Sequence, residues 1–309
     1  MLDFQTLTLD MKDMIDSYTF KYGENSCQHS FVSSFCLNGK YGDMFCESEN
    51  FLFTLRSKRC NDSERVYLFP HGDFEDTDGI KKALQKIFDD AHEKNCRVKF
   101  ETLTERAKNI VANLFPEKFL IESSRDYAEY VYKVDKRINL AGGAMRSRRK
   151  KINRFLRRLE NNFSINTIEK KHIPEIKDFQ SKWLASRIKK ENNSAITLQL
   201  ENENDGIQVA LDNFFALGLS GVVIMIDGKI CGYDYGTPLS ADCYDSMVQK
   251  ADRNILDIYS VLDWEFIKFS CSGHIWLNCE EDVGNAGLRE SKLGYKPEFM
   301  INKFILTEC

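Results

Sequence analysis

The chain has 309 residues, a net charge of −4, and 42% hydrophobic and 12% aromatic residues. This length predicts two domains of ordinary size, and this composition excludes an intrinsically disordered chain. No apolar run approaches the roughly 20 residues that a membrane-spanning helix needs, and residues 1–16 lack the pattern of a targeting segment. We therefore expect a soluble cytoplasmic protein for which a membrane is at most a peripheral contact.

The 10 cysteines are scattered along the chain and form no C-x-x-C pair. They are not accompanied by a histidine cluster, whereas zinc sites are built from closely spaced ligands of these types. The sequence therefore predicts reduced thiols and no metal site.

The N-terminal half alternates between strand-like and helical patterns. Its predicted elements are a strand hairpin over 43–56, a strand over 65–69, a helix over 79–93, a strand over 97–101, a helix over 104–115 and a strand over 127–134. The helix over 79–93 has the clearest pattern, because its apolar residues recur at helical spacing on one face.

The segment 146–158 carries eight Lys/Arg residues and no acidic residue, although the rest of the chain has a net charge of −12. Ile152, Phe155, Leu156 and Leu159 recur at helical spacing, which predicts an amphipathic helix over 144–161 with a basic outer face. Such a face is typical of polyanion binding, and the alternative is a solvated helix face without a ligand. The candidate binding residues are Arg146, Arg148, Arg149, Lys150, Lys151, Asn153 and Arg154.

The C-terminal half has a more regular pattern. Its predicted elements are helices over 174–190 and 205–217, a strand hairpin over 221–236, a strand over 243–249, a helix over 255–270, a strand over 274–278, a helix over 285–293 and a last strand over 298–306. The hairpin is indicated by Asp227-Gly228 between two apolar runs, because a tight two-residue turn needs positive φ at both positions.

This order of elements resembles the GNAT acyltransferase fold, a mixed sheet in which two neighbouring parallel strands splay apart to admit a substrate. The N-terminal half repeats part of the same order. The fold class implied is α+β, with two tandem GNAT-like domains that arose by duplication. The predicted domains are 1–135 and 161–309, the second carrying the site, with the basic helix connecting them in 136–160.

Polar residues follow the predicted short strand that ends at Asn278. Glu280 and Asp282 crowd its carboxyl end, where ligands collect in sheets flanked by helices. Asp282 is also suited to cap the next helix. On that helix Arg289 and Lys292 are three residues apart, so they project from one side.

Three segments resemble the phosphatidylglycerol lysyltransferase C-terminal-domain family. They are 140–155 (L-A-G-G-A-M-R-S-R-R-K-K-I-N-R-F), 249–252 (Q-K-A-D) and 278–297 (N-C-E-E-D-V-G-N-A-G-L-R-E-S-K-L-G-Y-K-P). The resemblance extends from about Phe20 to Leu306, and it implies a tandem GNAT fold. This fold is also that of transferases that take an amino acid from its tRNA ester and pass it to an acceptor hydroxyl or amine. Gly143-Ala144-Met145 departs from the bulkier residues expected before the basic run.

The resemblance implies three roles in such chemistry, with aminoacyl-tRNA as a substrate and no cofactor. The basic helix would bind the tRNA acceptor arm or another phosphate-bearing substrate, helped by Asn278 and Lys292. An oxyanion donor would stabilise the charge that develops on the ester carbonyl, a role for Arg289, Lys250 or a backbone amide at a strand edge. A carboxylate would accept the acceptor proton or hold the aminoacyl ammonium group. The candidates for this carboxylate are Asp252, Glu280 and Asp282.

Three alternatives stay open. Helix capping and an internal ion-pair network would explain the charged residues of 280–292 without catalysis. An acyl-CoA-dependent N-acyltransferase would need a glycine-rich pyrophosphate loop after the strand over 243–249. The segment Gln249-Lys-Ala-Asp-Arg-Asn254 contains no glycine, which disfavours CoA. The last alternative is a non-catalytic RNA-binding or regulatory module on the same fold.

Overall fold

The computed structural model describes residues 2–160 and 162–309. Asn161, where the predicted C-terminal domain begins, lies outside the described residues. Within the described ranges the strands form two seven-stranded mixed sheets, each with helices packed against it. This architecture confirms the predicted α+β fold class.

The elements of the N-terminal half are β1 (Gln5–Thr6), α1 (Lys12–Tyr22), α2 (Phe31–Cys36), α3 (Asn38–Tyr41), β2 (Asp43–Ser48), β3 (Phe51–Arg56), β4 (Glu64–Tyr67), α4 (Thr77–Glu93), β5 (Arg97–Leu103), α5 (Glu105–Leu114), β6 (Phe119–Ser123), β7 (Glu129–Lys133) and α6 (Val134–Asn139). Helix α4 begins two residues before the predicted start. The reason is that the Asp76 side chain caps it by accepting a hydrogen bond from the amide of Gly79 at 2.9 Å.

The remaining elements are α7 (Arg146–Leu159), β8 (Phe163–Thr167), α8 (Ile173–Ile188), α9 (Ser194–Asp212), β9 (Ser220–Ile226), β10 (Lys229–Pro238), β11 (Cys243–Ala251), α10 (Ile258–Phe266), β12 (Trp276–Asn278), α11 (Ala286–Gly294), β13 (Phe299–Ile301) and β14 (Phe304–Glu308). Helix α9 begins well before the predicted position 205. Asn193 caps it, but Ile196 and Leu198 in its first turns are exposed, so no apolar face marks this start in the sequence.

The first sheet has the strand order β1-β2-β3-β4-β5-β14-β6. Strands β4 and β5 are parallel and pair from Glu64–Arg97 to Tyr67–Phe100, after which β5 runs on to Leu103. Helices α4 and α5 pack on this sheet and complete its core. A parallel pair that parts in this way is the arrangement that the GNAT-like order predicts.

The second sheet has the strand order β13-β7-β12-β11-β10-β9-β8. The hairpin of β9 and β10 turns at Asp227 and Gly228, whose φ angles are +49° and +73°. Positive φ at both positions is what a type I′ turn requires, so this prediction is confirmed. Strands β11 and β12 form the parallel pair of this sheet.

Each sheet takes one strand from the other half of the chain. Strand β7 pairs with β12 in the second sheet, and β14 lies between β5 and β6 in the first sheet. The predicted single strand over 298–306 is therefore two strands, β13 and β14, in different sheets. The strand pattern alone cannot show this, because apolar alternation does not identify a strand's partner.

The compact units are consequently built from non-contiguous segments. One comprises Met1–Tyr130, Glu281–Ala286 and Met300–Cys309, and the other comprises Val131–Glu280 and Gly287–Phe299. These bounds differ from the predicted 1–135, 136–160 and 161–309. The basic helix α7 belongs to the second unit, since its apolar side chains, Ile152 and Phe155, are buried there and it packs on α10.

Candidate functional site

The parallel strands of the second sheet part at the start of the polar segment 278–297, here called the motif segment. Strands β11 and β12 pair only from Cys243–Trp276 to Asp245–Asn278. Strand β11 then continues to Ala251 along β10, whereas the chain leaves the sheet after Asn278. The loop that follows starts at the carboxyl end of β12, where sheets flanked by helices bind ligands.

This loop has an unusual backbone. The φ angle is +56° at Glu280, +44° at Val283 and +77° at Gly284. For a β-branched residue such as Val283 a positive φ is an outlier that costs on the order of 1–3 kcal/mol. Side-chain oxygens of Asn278 and Asp282 hold the loop by accepting hydrogen bonds from the amides of Glu280 at 2.8 Å and Gly284 at 2.9 Å. Strained backbone that is held in this way is typical of binding and active sites.

Asp282 is fully buried in the first unit. Its Oδ2 accepts hydrogen bonds from the Tyr130 hydroxyl at 2.5 Å and from the Arg125 guanidinium at 3.3 Å. Burial and the hydrogen bond to Asp282 raise the pKa of Tyr130, so its hydroxyl remains a donor at neutral pH. Asp282 thus acts as a loop anchor, whereas Glu280, in the second unit, is half-buried and the more exposed of the two.

Lys250 and Asp252 have structural partners of their own. The Lys250 Nζ donates to Glu203 of α9 at 2.7 Å and lies 4.4 Å from the ring centroid of Trp183 on α8. An Asp252 oxygen accepts a hydrogen bond from the amide of Asn254 at 2.9 Å. These contacts give no support to the oxyanion role predicted for Lys250 or the proton-acceptor role predicted for Asp252. The Lys250 side chain therefore lies against α8 and α9, and its position in β11 is well past the end of the pairing with β12.

Helix α11 is tied to the start of the loop. The Lys292 Nζ donates to the backbone carbonyl of Cys279 at 2.6 Å, and the Lys292 carbonyl accepts from the Tyr132 hydroxyl at 2.8 Å. Arg289 is half-buried on the same helix. The second unit therefore brings Asn278, Glu280 and Lys292 together around Cys279.

Most cationic side chains of helix α7 form no ion pair with a carboxylate in the described part of the chain. Within residues 2–160 and 162–309, one of its eight cations, Arg154, has a carboxylate partner, at 2.5 and 2.8 Å from Asp257. Arg149 donates to the carbonyls of Leu140 and Gly142. A solvated face that serves stability alone would mix both charge signs, and α7 does not. Five of the cationic side chains are exposed, and they belong to Arg146, Lys150, Arg154, Arg157 and Arg158.

A buried cation beneath the motif segment was not predicted. Arg137 of α6 is 3% exposed and forms two hydrogen bonds with the Asp263 carboxylate, at 2.6 and 2.8 Å. Its guanidinium carbon also lies 3.7 Å from the ring centroid of Tyr295. In the sequence Arg137 belongs to an ordinary charged stretch, and only its partners far along the chain distinguish it.

The first unit contains a second unpredicted network. The Lys303 Nζ lies 2.7 Å from a Glu129 oxygen, and both side chains are almost completely buried. Glu129 also accepts hydrogen bonds from the Ser26 hydroxyl at 2.9 Å and the Cys27 amide at 3.2 Å. A buried ion pair is stable only with such additional hydrogen bonds. The three segments that supply it are more than 100 residues apart, so the sequence offers no signal for it.

None of the helices in the described part of the chain combines the length and apolarity that crossing a membrane requires.

Comparison with known proteins agrees with this fold. A conserved protein of unknown function from Bacteroides thetaiotaomicron VPI-5482 has a TM-score of 0.91 and 26% identity over 100% of both chains. The structure of L-PGS from Bacillus licheniformis has a TM-score of 0.64 and 15% identity, covering 96% of this chain and 91% of that one, which supports the shared fold alone.

An uncharacterized protein of Mycoplasmoides gallisepticum is 21% identical over 196 residues, which is 63% of this chain and only 60% of that protein's length. A match over residues 20–307 identifies the family described as phosphatidylglycerol lysyltransferase, C-terminal. With two GNAT-like mixed sheets and a match over almost its whole length, the chain belongs to the phosphatidylglycerol lysyltransferase C-terminal family.

Proposed function

We propose that this protein transfers an aminoacyl group from an aminoacyl-tRNA to a hydroxyl or amine acceptor. The observation that supports a tRNA donor is the cationic face of α7, where seven of eight Lys/Arg residues have no carboxylate partner within the described ranges. Cations of this kind bind a phosphate backbone by releasing its counterions. The family's description names a lysyl group and phosphatidylglycerol, and for this chain both are proposals.

In the proposed reaction the acceptor oxygen or nitrogen attacks the ester carbonyl of the aminoacyl-tRNA. A new C–O or C–N bond forms, the ester bond to the ribose breaks, and the ribose hydroxyl leaves with a proton. We assign proton acceptance to Glu280, because it is more exposed than Asp282 and lies at the parting of the strands. Arg289, half-buried on α11, is assigned to the developing oxyanion.

The contacts around 252–257 count against an acyl-CoA donor. In a GNAT-like sheet the pyrophosphate would bind backbone amides between β11 and α10. Here the amide of Asn254 donates to the Asp252 carboxylate, and Asp257, directly before α10, carries the carboxylate that binds Arg154. The Asn254 amide is thus already engaged by a carboxylate, and the negative charge of Asp252 would repel a pyrophosphate.

A non-catalytic RNA-binding module would use the same face of α7. The strained loop at 280–284 favours the transferase, because a binding module on α7 has no need of strain at the parting of the strands.

The test combines a transfer assay with a binding assay. Purified protein is incubated with labelled total aminoacyl-tRNA and phosphatidylglycerol vesicles or a primary amine, and label in the acceptor is measured. Replacing Arg148, Arg149, Lys150 and Lys151 by Ser should abolish transfer and strongly weaken tRNA binding. The negative slope of log K against log salt should become shallower by about 3. A matched control replaces four exposed lysines outside α7, Lys81, Lys82, Lys189 and Lys190, and should bind like the parent. A parent protein without salt-dependent tRNA affinity would refute the proposal, and tRNA binding without transfer to any acceptor would favour the non-catalytic module.

A further inference from the structure

Arg148 packs over an aromatic ring. Its guanidinium carbon lies 4.0 Å from the ring centroid of Tyr295, at the end of the motif segment. One Nη donates to the backbone carbonyl of Ser291 at 3.3 Å, which limits rotation of the group. The same side chain lies against Gly294, where an added Cβ would be in van der Waals contact with an Nη at 3.4 Å. The plane of the guanidinium therefore has a defined orientation on the second unit.

The ring of Tyr295 lies between two guanidinium groups. The Arg137 carbon is 3.7 Å and the Arg148 carbon 4.0 Å from its centroid. Two such groups have no room on one face of a ring without overlap of their atoms, so they occupy opposite faces. Each is attracted by the negative potential of the ring face.

The two cations differ in charge balance and exposure. Arg137 is buried and neutralised by its two hydrogen bonds to Asp263. Arg148 is half-buried, and in residues 2–160 and 162–309 its side chain makes no ion pair with a carboxylate. The stack thus ends, on its outer side, in a positively charged plane of fixed orientation.

We propose that the stack of Arg148, Tyr295 and Arg137 is a platform for an unpaired nucleobase of the donor RNA, an inference that rests on the proposed function. Unpaired bases are recognised by stacking on aromatic rings and on guanidinium planes. A plane that is already supported by Tyr295 and Ser291 loses little conformational freedom when a base stacks on it. Lys151, three residues after Arg148 and therefore on the same side of α7, binds a flanking phosphate.

The experiment compares a single-stranded RNA tetranucleotide with the same oligonucleotide made abasic, by fluorescence anisotropy at constant salt. Arg148→Lys keeps the charge but removes the plane, so it should weaken binding of the normal oligonucleotide about tenfold and leave the abasic one nearly unchanged. Tyr295→Phe keeps the ring and should bind like the parent. The matched control is Arg157→Lys on the same helix. The Arg157 side chain is exposed and donates to the Asn153 carbonyl, and it is not part of the stack on Tyr295.

Two results would overturn the inference: equal binding by the parent and Arg148→Lys, or equal losses for the normal and abasic oligonucleotides. In the second case Arg148 contacts phosphates only. These outcomes are separate from those that test the proposed function. The proposed function fails if the parent binds no tRNA. It stands, while the platform inference fails, if the parent transfers the aminoacyl group and Arg148→Lys has no effect.

Discussion

Two histidines in the first unit are buried side by side. The rings of His29 and His71 are 5.0 Å apart, and His71 is 2% exposed. The His29 Nε2 contacts the backbone carbonyl of Thr102, while both ring nitrogens of His71 have no hydrogen-bond partner in the described part of the chain. Burial lowers the pKa of His71 to about 4. Burial, followed by the nearby Lys303 charge, lowers the pKa of His29 well below its usual value.

These histidines predict a loss of stability in acid. Because the pKa of His71 is lower in the folded state than the unfolded value of 6.5, the unfolded chain binds more protons between pH 6.5 and about 4. The free energy of unfolding should therefore fall as the pH is lowered through this window. His71→Phe should reduce this fall by about 3 kcal/mol.

The measurement is urea denaturation of both proteins at pH 7 and pH 4. The difference between the two pH values is compared within each protein, so that a change in packing at position 71 cancels. An identical pH dependence in parent and variant would contradict the assignment.

At the scale of single elements, a bulge in β10 shapes the sheet next to the candidate site. The pairing of β10 with β11 shifts register between Tyr235 and Gly236. A Cβ at Gly236 would lie 1.7 Å from the carbonyl oxygen of Asp245, far inside van der Waals contact. Asp245 is also the last residue of β11 that pairs with β12. The close approach of the two backbones therefore occurs where the parallel strands part.

We predict that Gly236→Ala lowers the free energy of unfolding by at least about 2 kcal/mol, because the strands must separate to admit the methyl group. Urea denaturation measures this change. Gly143→Ala is the control, since no atom lies within 4 Å of its added Cβ and its φ is not positive. The control should change stability by less than about 0.5 kcal/mol, and a similar small effect at position 236 would show that the strands adapt.

At the scale of the whole molecule, each sheet depends on a strand from the other half of the chain. Strand β14 pairs with both β5 and β6, and Leu306 in it is fully buried in the core of the first unit. Without β14, strand β6 has no partner among the described strands of its sheet. The last residues of the chain are therefore part of the core of its N-terminal half.

We predict that a chain ending at Lys303 loses protection from amide hydrogen exchange in β6 and on the β14 side of β5, because both strands lose the hydrogen bonds to β14 while β5 keeps those to β4. Strands β9, β10 and β11 should stay protected, since the strands that pair with them contain no residue after 278. Exchange followed by mass spectrometry distinguishes the two regions. A chain lacking only the exposed Cys309 is the control, and unchanged protection in β6 after the longer truncation would contradict the role given to β14.

Elements with a strong local signal follow the sequence prediction closely. Helix α7 is predicted over 144–161 and runs from Arg146 to Leu159, because its apolar spacing and its charge are properties of one short segment. The Asp227-Gly228 turn is equally local. The end of β12 at Asn278 and the position of Glu280 directly beyond it also follow from the strand pattern.

The sequence by itself therefore determined the order of the elements from β9 to α11, the basic face of α7 and the polar segment at the end of β12. The tertiary structure alone decided that β7 and β14 cross to the other sheet, that Lys250 pairs with Glu203, and that Tyr295 lies between Arg137 and Arg148. The physical reason is the distance along the chain over which each interaction acts. Periodicity and turn geometry act over a few residues, whereas a strand's partner or a buried cation's counter-charge is chosen by packing between segments far apart in the chain.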